Sequence, residues 1–262
     1  MTLIKHELKQ GQATLLIWTS VIGFMLAACI LIYPEMGTQM SDVGSMFAEM
    51  GSFSAAFGMD RLNFGEFMGF FGVECGNVLG LGGAFFSALL GISVLAKEEK
   101  EQTAEFLLTH PISRRKTAAQ KLVSVLLQII ILNIIVIAVT FLSIRVIGEE
   151  PEIRPLLLLF LAYFILQAET AAICFGISAF ISQSGLGIGL GIAALFYFLN
   201  IIANLTEDAK FLKYITPFGY TESADIIADK CLKTEYLSVG LILTALGIGI
   251  GFFRYCTKDI HS

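Results

Sequence analysis

The chain is expected to be an all-α polytopic membrane protein whose backbone crosses the bilayer six times. Three observations predict this. The mean hydropathy is +0.78 with 56% hydrophobic residues, well above an ordinary soluble domain. Apolar stretches near the ~20 residues that a helical crossing needs recur at 15–33, 74–96, 122–147, 156–181, 185–205 and 236–255. The longest strongly charged run, 97–121, stands apart from them. A bilayer offers the backbone no water, so such stretches form helices. Residues 1–262 then make a single transmembrane domain. The small net charge of −5, spread over loops, argues against nucleic acid as a partner.

Ahead of the first span lie residues 1–14, and the stretch 3–15 sets Ile4, Leu8 and Leu15 on one helical stripe and Lys5, Lys9 and Gln12 on another. That is the pattern of a helix lying in the membrane interface. The first span, 15–33, contains Leu26-Ala27-Ala28-Cys29, which imitates a lipoprotein cleavage site. The apolar run continues to Tyr33 instead of turning polar, and a cleavable apolar core is usually about 7–15 residues, so the site is rejected. Residues 34–73 are rich in Gly, Phe and Met and suit short helices dipping into the headgroup layer. Met36 with Met40 and Met46 with Met50 have a spacing that could gather thioethers, but no His or Cys shares the segment and no metal is expected.

The second span, 74–96, holds Glu74, expected at its hydrated outer boundary, and Asn77. Gly76 and Gly80 have the spacing that lets two helices approach closely. The charged run follows. Glu98, Glu101 and Glu105 share one helical face and Ala104, Leu107 and Leu108 the other, giving a short amphipathic helix over 98–109. Pro111 ends it. Ser113 is placed to cap a second helix that opens with Arg114, Arg115 and Lys116. Cations are the wrong sign for a helix N-terminus, so topology is the reason for them. Six Lys and Arg crowd into this one loop, which puts it and both termini on the cytoplasmic side of the cell membrane.

The third span, 122–147, carries Gln128 and Asn133, and Arg145 can snorkel outward. The link after it contains Glu149-Glu150-Pro151-Glu152-Ile153-Arg154, a string also found in intramembrane prenyl-protein proteases, as is the Phe106 to His110 spacing. The strings occur in the wrong order and on opposite sides, and Pro151 interrupts the helix that would hold the glutamates. In the fourth span, 156–181, Glu169 lies near mid-bilayer, a position that suggests substrate, proton or helix pairing. The fifth, 185–205, opens with alternate glycines suited to close packing, including against a second copy. Residues 204–235 gather Phe211, Tyr214, Phe218 and Tyr220 around Pro217 as interfacial anchors, with a helix expected over 221–231. The sixth span, 236–255, ends in Arg254 and Tyr255. The five cysteines are scattered and suggest no disulfide framework.

With these residues in place, the chain resembles the permease subunits of type-2 exporters of the ATP-binding-cassette class. Three segments carry the likeness. Glu99 to Arg115, with Thr103, Glu105, Leu107, Leu108, Pro111, Ile112, Ser113 and Arg114, looks like that family's cytoplasmic loop between spans two and three. The string from Tyr214 to Tyr220, YITPFGY, is similar to its Tyr-x-Ser-Pro-Phe-x-Tyr segment, with Thr216 in place of Ser. Arg254 to Ile260 looks like its Arg-x-x-x-Arg-Asp-Ile tail, with Lys258 for the second Arg.

The resemblance implies a transport subunit, not an enzyme, with no cofactor of its own. No Gly-x-x-x-x-Gly-Lys-Ser/Thr string occurs, so ATP would be bound by a separate ATPase subunit. It also implies a second permease copy or paralogue. Residues 98–109 would be a coupling helix, with Glu98, Glu101, Glu105 and Arg114 meeting the ATPase and Phe106, Leu107 and Leu108 as its apolar anchor. The substrate path would run between spans two and five of the two subunits. An ion-coupled secondary transporter or channel using Glu169, with Asn77 as a further polar position, is the alternative. A membrane anchor for another complex is a third reading.

Overall fold

The computed structural model describes residues 2–49, 51–56, 61–97, 113–181 and 185–258. Among the described residues every regular element is helical. We number the helices α1 (Thr2–Glu49), α2 (Ser52–Ala56), α3 (Phe67–Ser93), α4 (Arg114–Ile147), α5 (Ile153–Ser178), α6 (Leu186–Leu205), α7 (Ser223–Asp229) and α8 (Thr234–Thr257). Six of them, α1, α3, α4, α5, α6 and α8, are long and apolar enough to cross a membrane, as the hydropathy predicts.

The start of the chain differs from expectation. Thr2–Glu49 is one helix of 48 residues, with no break between a separate interfacial helix at 1–14 and the span at 15–33. No proline lies between Leu3 and Tyr33, and the first turns have a packing partner: Leu3 and Glu7 are buried. Lys5, Lys9 and Gln12 are exposed, as the stripe predicts. Pro34 lies inside this helix on its exposed side, where the lost backbone donor does not end it.

The second span also starts earlier than 74. Phe67, Phe70 and Phe71 belong to α3 and not to the loop before it. Their rings bury against α1 and α5: Tyr33 lies 5.3 Å from Phe67 and 5.2 Å from Phe70, and Phe71 lies 6.1 Å from Phe160. Glu74 therefore lies within α3 and not at its start. It sits about two turns into the helix, half-buried, accepting a weak hydrogen bond from Cys29 Sγ at 3.5 Å. Residues Gly76–Leu81 form a π-helical turn within α3, a local widening often found at functional positions.

At the start of α4, Ser113 Oγ accepts from Lys116 N at 3.4 Å, the cap that the sequence predicts. The helix then runs unbroken into the third span. It ends at Gly148, whose φ of 77° only glycine adopts freely. Helices α3 and α5 form the buried centre, with α1 packed along α4, and α8 along α5. Leu16, Phe24, Leu142, Leu195 and Phe253 point outward, as lipid-facing side chains should.

Candidate functional site

Three polar clusters lie on this scaffold. At the end where α3 finishes and α4 begins, Lys121 is fully buried, with Nζ donating to the Val94 carbonyl at 2.7 Å and to Glu7 Oε1 at 3.2 Å. Lys97 Nζ reaches the other oxygen, Glu7 Oε2, at 3.4 Å. A cation set against the last carbonyls of α3 also suits that helix's dipole. This junction ties α1, the exit of α3 and α4 together beside the segment 98–112. On the far side of that segment, Arg114 Nη1 donates to the Lys258 carbonyl at 2.5 Å. Lys97 and Arg114, described residues on either side of 98–112 in the sequence, are thus each bonded to another helix. Glu98, Glu101, Glu105, Phe106, Leu107 and Leu108 lie outside the described residues. Of the sequence-selected group, Arg114 is the member described.

The second cluster centres on Glu169. Its carboxylate accepts from Tyr220 Oη at 2.7 Å, and both side chains are buried, 2% and 1% exposed. Glu169 lies about 24 Å along α5 from Ile153 at about 1.5 Å per residue, so the YITPFGY segment reaches deep between the helices. Burial and the adjacent Glu169 hold the Tyr220 phenol well above its ordinary value, keeping it a donor. Phe218 and Tyr220 are therefore not interfacial anchors. Tyr220 finds a buried acceptor, and Phe218 packs edge-on against Tyr197 at 5.5 Å. Phe211 and Tyr214 remain exposed, as expected of anchors. Gly240 of α8 leaves the room: a methyl there would collide with Glu169 Oε2. The helix expected over 221–231 is the shorter α7, closed by Lys230 at φ 51°. Nearby, Asn133 Nδ2 donates to Gln167 Oε1 at 2.6 Å, linking α4 to α5.

Asn77 belongs to the third cluster. It sits in the π-helical turn, accepts from Tyr197 Oη at 3.5 Å, and lines a cavity of about 60 Å³ with Asn200, Asn204 and Glu222. Tyr163 of α5 leans over Gly76 and Gly80, and a Cβ on Gly80 would lie 2.8 Å from Tyr163 Cε1. The glycine pair is therefore there for close approach, as its spacing predicts. Tyr163 Oη bonds to the Thr221 carbonyl at 3.3 Å and Ser223 Oγ at 3.1 Å, and Ser223 Oγ donates to the Gly72 carbonyl at 2.7 Å. The segment after α6 is pinned on both α3 and α5.

Glu169 does not line the cavity beside Asn77. It adds Glu7, which the sequence reading passed over. The signal was present, since Glu7 is the sole acid among the first 34 residues and sits between Lys5 and Lys9. The family described as ABC-2 family transporter protein matches residues 1–260. No curated protein matches the chain.

Proposed function

The chain belongs to the ABC-2 family of transporter proteins, and from that premise we propose that it is the membrane-spanning half of an ATP-driven exporter. A separate ATPase subunit binds and hydrolyses the nucleotide, and a second permease copy or paralogue completes the path. The family match over nearly the whole chain carries the proposal. The coupling element is 98–109, on the cytoplasmic side. Its acidic face (Glu98, Glu101, Glu105) meets basic groups of the ATPase, and Phe106, Leu107 and Leu108 seat in an apolar groove.

Mechanically, a rigid tilt of this element enters the bundle at both flanks. The Glu7, Lys97 and Lys121 junction passes it to α1 and α3, and the Arg114 to Lys258 bond passes it to α4 and the end of α8. Glu169, engaged by Tyr220, supports a role in fixing helices more than in carrying ions. The test is copurification. Leu107→Asp with Leu108→Asp is expected to insert in the membrane normally and to lose the ATPase. Retention of the ATPase by the double variant overturns the assignment.

A further inference from the structure

Beside the Glu7 junction a cavity of about 430 Å³ opens between the first turns of α1, the end of α3, α4 and the start of α6. That volume falls within the roughly 300–1,000 Å³ of small-ligand sites. Part of its lining is polar, with Glu7, Lys97 and Gln128. Much of the rest is apolar, with Leu89, Leu90 and Leu186.

Two features say what fits. Lys97 has one hydrogen-bond acceptor, Glu7 Oε2 at 3.4 Å, and its side chain is 22% exposed, so two of its three N–H donors are open to the cavity. The carboxylate of Glu7 is itself shared with Lys121 at 3.2 Å. Finally, Lys97 follows the last turn of the second span, the depth at which a bilayer places its phosphates, and Leu186 at the mouth is 45% exposed.

We propose that this cavity is a headgroup site for a membrane phospholipid. Lys97 donates to the phosphate, and the acyl chains leave across Leu89, Leu90 and Leu186. Lys97 and Lys121 set against the one Glu7 carboxylate leave a single positive charge over, which suits phosphatidylglycerol, whose headgroup carries the phosphate as its sole charge. The site is independent of any ATPase, so it stands or falls separately from the transport reading.

The experiment uses the full chain, solubilised from native membranes with whatever subunits accompany it, delipidated and titrated with dioleoylphosphatidylglycerol. Native mass spectrometry and thermal protection are the readouts. One lipid per chain is expected to bind. Lys97→Ala should weaken it about tenfold, the loss of a hydrogen bond to a charged group, while Lys121 still holds Glu7 and keeps the fold. Lys97→Arg should retain it, and Thr14→Trp, which fills the cavity without touching the charges, should abolish it. Equal binding by wild type, Lys97→Ala and Thr14→Trp overturns the site. Equal protection by dioleoylglycerol makes it an apolar groove with no headgroup recognition. Equal protection by inorganic phosphate makes it a soluble-anion site. Either result also overturns the proposal.

Discussion

Removing the hydroxyl of Tyr220 isolates one bond with little change of shape. Tyr220→Phe leaves the ring in place and takes away the donor to Glu169, held at 2.7 Å between side chains that are 2% and 1% exposed. A buried acceptor left without its donor costs about 1–3 kcal/mol. The loss is expected as a lower unfolding free energy in detergent, measured by denaturant titration on the variant and wild type side by side. Glu169→Gln keeps a carbonyl acceptor and should lose less. Gly240→Ala drives a methyl into Glu169 Oε2 and should lose at least as much. The phenol's pKa is raised above its ordinary 10.0 by burial and by Glu169. Its contribution is therefore fully present below about pH 10 and falls as pH rises from there toward the folded value, because the unfolded phenol ionises first. The difference between wild type and Tyr220→Phe should shrink above about pH 10. A Tyr220→Phe difference within about 0.5 kcal/mol, the range of a surface change, would refute the reasoning.

Two further outcomes follow from the same contacts. Lys121→Ala leaves buried Glu7 with Lys97 alone and the Val94 carbonyl without its donor, and should cost about 1–3 kcal/mol, read as loss of folded protein after solubilisation, with Lys121→Arg retaining part of it. Gly80→Ala, whose new carbon would lie 2.8 Å from the Tyr163 ring, should separate α3 from α5. Its check is a drop in thermal stability that Ala at the open Gly187 does not share.

The six spans were legible because apolar length is a one-dimensional property that a bilayer reads directly. Ser113 and the Gly76 and Gly80 pair were legible too, since capping and close approach depend on local spacing. What was not legible depends on partners distant along the chain. Tyr220 looks like any interfacial aromatic until Glu169, 51 residues away, is known to be its acceptor. Glu7 looks like a charged flank until Lys121, 114 residues away, closes on it. The early start of α3 was missed for a related reason. Its phenylalanines form a helix because Tyr33 and Phe160 cover them, and nothing in residues 67–73 alone announces that cover.

The central claim is that work done by a separate ATPase enters this permease through residues 98–109. The most direct measurement places a photo-crosslinking residue at Leu107 in native membranes and identifies what becomes attached. The account predicts a soluble subunit carrying a Gly-x-x-x-x-Gly-Lys-Ser/Thr phosphate loop. Labelling of the same position by an impermeant reagent from outside sealed cells, with no such subunit attached, would contradict it.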